Sequence, residues 1–211
     1  FKLYKKFCPG PITFILKKRK NSKINSIVTA NLNTVAIRFP NHKIIRSILK
    51  RTNFPLAMPS ANISTNLSPV NPQDVADEFK SNIKLILDGG KSKVGIESTV
   101  VDLTGKPNIL RPGIIEANII ARTLKTKIRF SKKNTKIISP GMLLRHYSPG
   151  IPIYLNQEPV DGTTACITLG KKYKNKKNHF NLSKKSNLKE AASNLYTTLR
   201  AIKNQKFKKI Y

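Results

Sequence analysis

With 211 residues, 39% of them apolar, the chain can hold one generous domain or a large and a small one around a real core, which places it among globular proteins. Its 40 Lys and Arg against 10 Asp and Glu give a formal net charge of +30, a balance that favours phosphate-bearing partners; yet the lysine clusters at 17–20, 132–136, 171–177, 184–189 and 203–209 share no helical face, and the charge reads as compositional. Cys8 and Cys166 lack any Cys-x-x-Cys or Cys/His spacing, which suggests neither a disulfide framework nor a zinc site; no apolar run approaches the roughly 18 residues that span a bilayer, and no signal-peptide pattern opens the chain, so a soluble cytoplasmic protein is expected.

Residues 1–7 read as the end of a basic amphipathic helix with Phe1 and Tyr4 inward beside Leu3. The opening on Phe1 and the stop at Tyr211, where a helix should hand over to a strand, read as an internal portion of a longer protein. After Pro9-Gly10-Pro11, residues 12–16 have strand composition, and 34–40 alternate well enough for a second strand with Arg38 near its end. Ile44, Ile45, Ile48 and Leu49 give 42–51 the spacing of an amphipathic helix. Asn71-Pro72 supplies a capping side chain and a first-turn proline for a helix reaching Lys80. Leu85-Ile86-Leu87 reads as a buried strand, 98–103 and 108–111 as strands around the turn Thr104-Gly105-Lys106-Pro107, and 116–125 as a helix.

This mixture predicts an α/β domain with a twisted mixed sheet over 1–125. Residues 126–150 are polar, basic and punctuated by Pro and Gly, which reads as a linker or lid. Strands at 151–155 and 164–170 and a helix over 187–203, with Leu188, Ala191, Ala192, Leu195 and Leu199 inward, make 151–211 a smaller α/β domain.

Four segments place hydroxyls, amides or an arginine at chain bends. Pro59-Ser60-Ala61-Asn62, with Ser64 and Ser68 following before a helix start, offers side chains and backbone amides to phosphate oxygens; an ordinary Ser/Asn-rich turn is the alternative. Ser98 and Thr99 enter a strand just after Gly95 and Glu97, where Ser98 could meet a small substrate or merely cap the strand. Arg111, held ahead of Pro112-Gly113, can meet a phosphate bidentately or form a surface ion pair. Arg38 lies in an otherwise apolar strand, so its charge should reach a cleft, where a carboxylate ligand would satisfy it. His42, His146 and His179 are not expected to act as general bases, and the chain has no Ser/His/Asp arrangement, metal-ligand spacing or Walker-type phosphate loop.

In order and spacing, Pro9-Gly10-Pro11-Ile12-Thr13, the 34–40 strand, Pro59-Ser60-Ala61-Asn62, Glu97-Ser98-Thr99-Val100-Val101-Asp102 and Leu110-Arg111-Pro112-Gly113 resemble the YrdC-like domain of L-threonylcarbamoyladenylate synthases. Ser139-Pro140-Gly141-Met142 and Arg145-His146-Tyr147-Ser148-Pro149 resemble the linker of the two-domain form, whose second domain is a smaller Rossmann-like α/β unit. The resemblance implies a nucleotidyltransferase that makes threonylcarbamoyladenylate and pyrophosphate from L-threonine, bicarbonate and ATP, with Mg²⁺ accompanying the ATP. The product passes to a tRNA-modifying threonylcarbamoyl transferase. By the same resemblance Thr34, Ser60, Asn62, Ser68, Arg111 and Tyr147 contact ATP, while Arg38, the Met58 backbone and Ser98 hold threonine. No catalytic residue is assigned, because the family's Thr-x-x-x-Gly-Leu segment and its phosphate-facing Lys-x-Arg pair have no counterpart in this chain, which on its own is expected to be inactive.

Two other readings compete. A maturation protein that uses carbamoyl-adenylate would carry a similar domain, but the chain lacks zinc-finger cysteine pairs and has the Ser-Pro-Gly-Met linker. A non-catalytic module contacting tRNA or double-stranded RNA would exploit the charge, and its binding would fall steeply with salt.

Overall fold

The structure, a computed structural model, describes residues 1–130, 147–157, 162–171 and 178–211. The lysines at 132–136, most of the 171–177 cluster and the linker motif from Ser139 through Arg145 and His146 lie outside the described residues. In chain order the elements are α1 (Lys2–Phe7), β1 (Ile12–Lys17), β2 (Thr34–Arg38), α2 (Lys43–Arg51), α3 (Pro72–Phe79), β3 (Thr99–Asp102), β4 (Asn108–Arg111), α4 (Ala117–Leu124), β5 (Arg129–Phe130), β6 (Thr164–Thr168), β7 (His179–Asn181), α5 (Leu188–Asn204) and β8 (Lys209–Ile210). None of these helices is long and apolar enough to cross a membrane.

The chain divides into two compact units that do not follow chain order: Phe1–Pro59 with the described part of Glu97–Leu143, and Ser60–Ile96 with the described part of Leu144–Tyr211. The first holds a mixed sheet in the order β2-β1-β3-β4-β5, in which β1 runs parallel to β3 and antiparallel to β2. Alternation along the strands sorts the side chains. Ile12, Phe14, Val101 and Ile109 bury themselves with Leu3 of α1 and Ile120 of α4, which leaves Thr13 and Arg38, paired across β1 and β2, to the opposite face.

Arg111 should by alternation share the core side with Ile109. It does not, because the β3–β4 register shifts: Val101 pairs with Ile109, but Val100 pairs with Arg111. The extra residue of this bulge re-aims Arg111 toward the face of Thr13 and Arg38. Beyond it, Gly113 lies so close to the start of β3 that a Cβ there would come within 2.5 Å of the Thr99 amide nitrogen and 2.7 Å of the Glu97 carbonyl oxygen. Thr99 Oγ1 closes the same loop, donating to the Ile115 carbonyl (3.0 Å) and accepting from the Ile115 amide (3.1 Å). Since only backbone could yield, Gly113→Ala should destabilise the protein by about 1–3 kcal/mol, read as a fall in Tm of roughly 2–10 °C. An unchanged melting curve would show that the loop yields freely.

The second unit is a three-stranded parallel sheet, β7-β6-β8, against which α5 packs. Its core joins Leu67 and Val70 from the early stretch to Ala165, Tyr196, Leu199, Ile202 and Ile210 from the late one. Asn71 caps α3 through its side chain, which accepts from the Asp74 amide (2.8 Å), with Pro72 at the first helical position. Asn187 does the same for α5, accepting from the amides of Lys189 and Glu190. Gly95, at φ +75°, seats the end of the early stretch on α5, where a Cβ would meet Ser193 Cα at 2.5 Å.

The α/β class is as expected, and the structure corrects several elements. In α1 it is Leu3 that is buried, whereas Phe1 is 90% exposed and Tyr4 is exposed too. Leu85-Ile86-Leu87 is no buried strand but an open stretch, with Leu85 74% exposed and no ladder partner among the described residues. Residues 151–155 form no strand but an isolated bridge, Ile153 to Ile210, on the two-residue strand β8. The inward face of α5 runs through Ala191, Tyr196, Leu199 and Ile202, which turns Leu188 out to solvent. A strand, β5, occurs where a linker was expected, and β7 is one that the sequence reading did not include.

Candidate functional site

In the first unit the site grows from neighbouring strands. Ser98, at the entrance to β3, is buried, and its Oγ lies 2.7 Å from Thr13 Oγ1 on β1. Arg111 reaches it from β4: Nη2 donates to Ser98 Oγ (3.0 Å) and Nε to the Ser98 carbonyl (3.1 Å). This two-point grip uses the fork of the guanidinium and fixes both groups.

Arg38, at the end of β2, donates from Nε to the Gly10 carbonyl at 3.4 Å. Although the residue keeps an exposed surface, desolvation of its guanidinium, and then the nearby positive charge of Arg111, hold its pKa below the ordinary arginine value. No carboxylate pairs with Arg38 among the described residues. A face with two guanidinium groups and a hydroxyl pair is suited to a carboxylate or phosphate, which would relieve the repulsion between the cations. Thr34 sits half-buried at the other end of β2, opposite Lys17, and Met58 lies in an open stretch, 65% exposed.

The remaining candidates belong to the second unit. Ser60 is exposed, Asn62 half-buried and Ser68 buried in the irregular stretch before α3. Asn62 turns its amide inward, donating from Nδ2 to the carbonyls of Ile63 (2.8 Å) and Asn66 (3.3 Å), while its buried Oδ1 has no hydrogen-bond partner among the described residues. Tyr147, at φ +56°, packs its ring on Tyr196 of α5 with centroids 5.9 Å apart. The next residue, Ser148, donates its amide to the Thr65 carbonyl (2.9 Å).

Sequence reasoning missed three residues here. Thr13, the partner of Ser98, stood in plain view in Pro9-Gly10-Pro11-Ile12-Thr13, and strand parity on β1 could have placed it with Arg38. Glu78 and Arg200 had no such signal. Glu78 Oε1 accepts from the Ile63 amide (2.9 Å) and Asn66 Nδ2 (2.8 Å), and its Oε2 accepts from Arg200 Nη2 (3.3 Å). Burial alone would raise the Glu78 pKa, but the bonds from Asn66, Ile63 and Arg200 outweigh it and hold the carboxyl below its ordinary value. Among the described residues no group of three His, Cys, Asp or Glu could hold a metal ion.

A family model described as "Telomere recombination" matches residues 1–113, and another described as "Threonylcarbamoyl-AMP synthase, C-terminal domain" matches 114–211. The threonylcarbamoyl-AMP synthase of Pyrococcus abyssi is 37% identical over 164 residues, 75% of this chain and 48% of that protein. Its counterpart in Schizosaccharomyces pombe is 41% identical over 165 residues, 72% of this chain and 40% of that protein. The Bacillus subtilis protein of the same name is 37% identical over 72% of this chain and 44% of its own length. The chain therefore spans less than half the length of these relatives. The crystal structure of P. abyssi Sua5 complexed with L-threonine superimposes with a TM-score of 0.86 at 32% identity, covering 99% of this chain and 66% of that one.

Proposed function

The chain belongs to the Sua5/YrdC family of threonylcarbamoyl-AMP synthases, and on that premise we propose that the full-length protein, with the family's phosphate-facing Lys-x-Arg pair that these 211 residues lack, forms threonylcarbamoyl-AMP and pyrophosphate from L-threonine, bicarbonate and ATP. The product would supply a transferase that installs threonylcarbamoyladenosine in tRNA. The observation that carries the reading is Arg38, a guanidinium with no carboxylate partner among the described residues, on the same sheet face as the Ser98–Arg111 pair. The P. abyssi relative whose structure is similar to this chain was crystallised with L-threonine.

In this reading Arg38 takes the threonine carboxylate, while Ser98 and the Met58 backbone fix the rest of the amino acid. The threonine nitrogen takes up the carbon of bicarbonate with loss of water, and the resulting carbamate oxygen attacks the α-phosphorus of ATP as pyrophosphate leaves. Arg111 meets the growing negative charge on phosphate, where a prepositioned donor contributes most. Thr34, Ser60, Asn62, Ser68 and Tyr147 complete the nucleotide contacts. Mg²⁺ would arrive on the nucleotide, held chiefly by phosphate oxygens, since the described residues build no cage of their own for it.

The test is pyrophosphate release by the intact protein, with each substrate withheld in turn. Release should require threonine, bicarbonate and ATP together. Equal release without threonine would sink the assignment, because a mere ATP pyrophosphatase needs no amino acid.

A further inference from the structure

Helix α5, far along the chain from the Pro59-Ser60-Ala61-Asn62 segment, touches both stretches of the second unit to which nucleotide contacts fall. Arg200 donates from Nη2 to the Leu67 carbonyl at 2.6 Å and to Glu78 Oε2 at 3.3 Å, while its Nε faces Asp74 Oδ2 at 3.6 Å. The two acids pass the restraint on. Glu78 holds the Ile63 amide and the Asn66 side chain, and Asp74 Oδ2 accepts from the Val70 amide (2.8 Å). Residues 63–70 are thus tied at four points by a network anchored on one arginine. One turn earlier on the same face of α5, Tyr196 packs against Tyr147, whose neighbour Ser148 is bridged to Asn66.

We propose that α5 positions the ATP-binding loop, with Arg200 acting through Glu78 on the Asn62–Asn66 turn and Tyr196 acting through Tyr147. The inference rests on the reading that this loop takes ATP. An irregular stretch of this length would otherwise lose its conformational freedom at the moment of binding, and ordering it beforehand strengthens affinity without adding a contact. Arg200 has a second effect. It offsets Asp74 and Glu78, two carboxylates beside the loop that would repel a triphosphate if left unpaired. Arg200 and Glu78 are therefore positioning residues that touch no substrate themselves, and the network ends at Asn62, whose buried Oδ1 has no hydrogen-bond partner among the described residues.

The experiment compares Arg200→Met, Glu78→Gln and Asn62→Ala in the intact protein, reading the KM for ATP, the KM for threonine and equilibrium ATP binding. Arg200→Met and Glu78→Gln should each raise the ATP KM about tenfold and weaken ATP binding equally, with the threonine KM unchanged within about twofold. Combined with Asn62→Ala, either should cost less than the sum of the two, because all three changes act on one loop. A purely structural role would lower the amount of folded enzyme and leave both KM values where they were, and that result overturns the proposal. If Asn62→Ala raises the ATP KM while Arg200→Met and Glu78→Gln do not, the loop binds ATP but α5 does not position it. If Asn62→Ala also leaves the ATP KM unchanged, the loop does not bind ATP and the proposal falls with that reading. Should Arg200→Met fail to fold, the near-isosteric Glu78→Gln decides alone.

Discussion

Arg111→Ala is expected to lower kcat/KM for ATP by about 100- to 1,000-fold, the loss typical of removing a donor aimed at developing charge. Two consequences of its geometry add together. The guanidinium that would meet the phosphate also grips Ser98 through both its carbonyl and its hydroxyl. Removing it frees the buried hydroxyl pair of Ser98 and Thr13 to rearrange, so the threonine KM should rise as well. Arg111→Lys should recover little, because an ammonium has no planar fork with which to bond Ser98 twice and still face a ligand. A loss below about threefold would leave Arg111 as a prop for β3.

Arg38→Ala should separate the substrates. A charge-assisted hydrogen bond of roughly 1.5–3 kcal/mol would be lost to the threonine carboxylate, which is a rise of about 10- to 150-fold in the threonine KM, with the ATP KM within about twofold. The fold should survive, because Arg38 lies at a strand end and is tethered, among the described residues, by one 3.4 Å bond to the Gly10 carbonyl. Equal effects on both substrates would assign Arg38 to the structure of the sheet. The pair of variants is informative jointly: Arg111→Ala touches both substrates and Arg38→Ala only one.

The elements that sequence made legible are those with a complete local signal. β1, β2 and β3 are rich in β-branched residues, β4 follows the turn Thr104-Gly105-Lys106-Pro107, α3 announces itself through Asn71-Pro72, and α4 and α5 have enough turns for a face to show. Short elements have no such signal. β5 and β8 are two residues each, created by the neighbour they pair with, and the apolar Leu85-Ile86-Leu87 stretch failed to become a strand because three residues of pattern cannot supply a pairing partner. In the site, Arg38, Ser98 and Arg111 could be named from their motifs, but their shared face could not. It depends on the register shift between Val100 and Val101, since without that extra residue Arg111 would have followed Ile109 toward the core. The Arg200–Glu78 link was invisible for a plainer reason: ion pairs between residues 122 apart leave no periodicity in either segment.

That long reach also sets an order on the birth of the protein. Leu67 is synthesised 133 residues before the Arg200 that holds its carbonyl, and at about 5–20 residues per second the ribosome needs roughly 7–27 s to close that gap. Throughout the interval Leu67 and Val70 have no core to enter, because Tyr196, Leu199 and Ile202 do not yet exist. The 60–96 stretch therefore emerges with Leu67 and Val70 unshielded, and it gains its core only once α5 has followed it out.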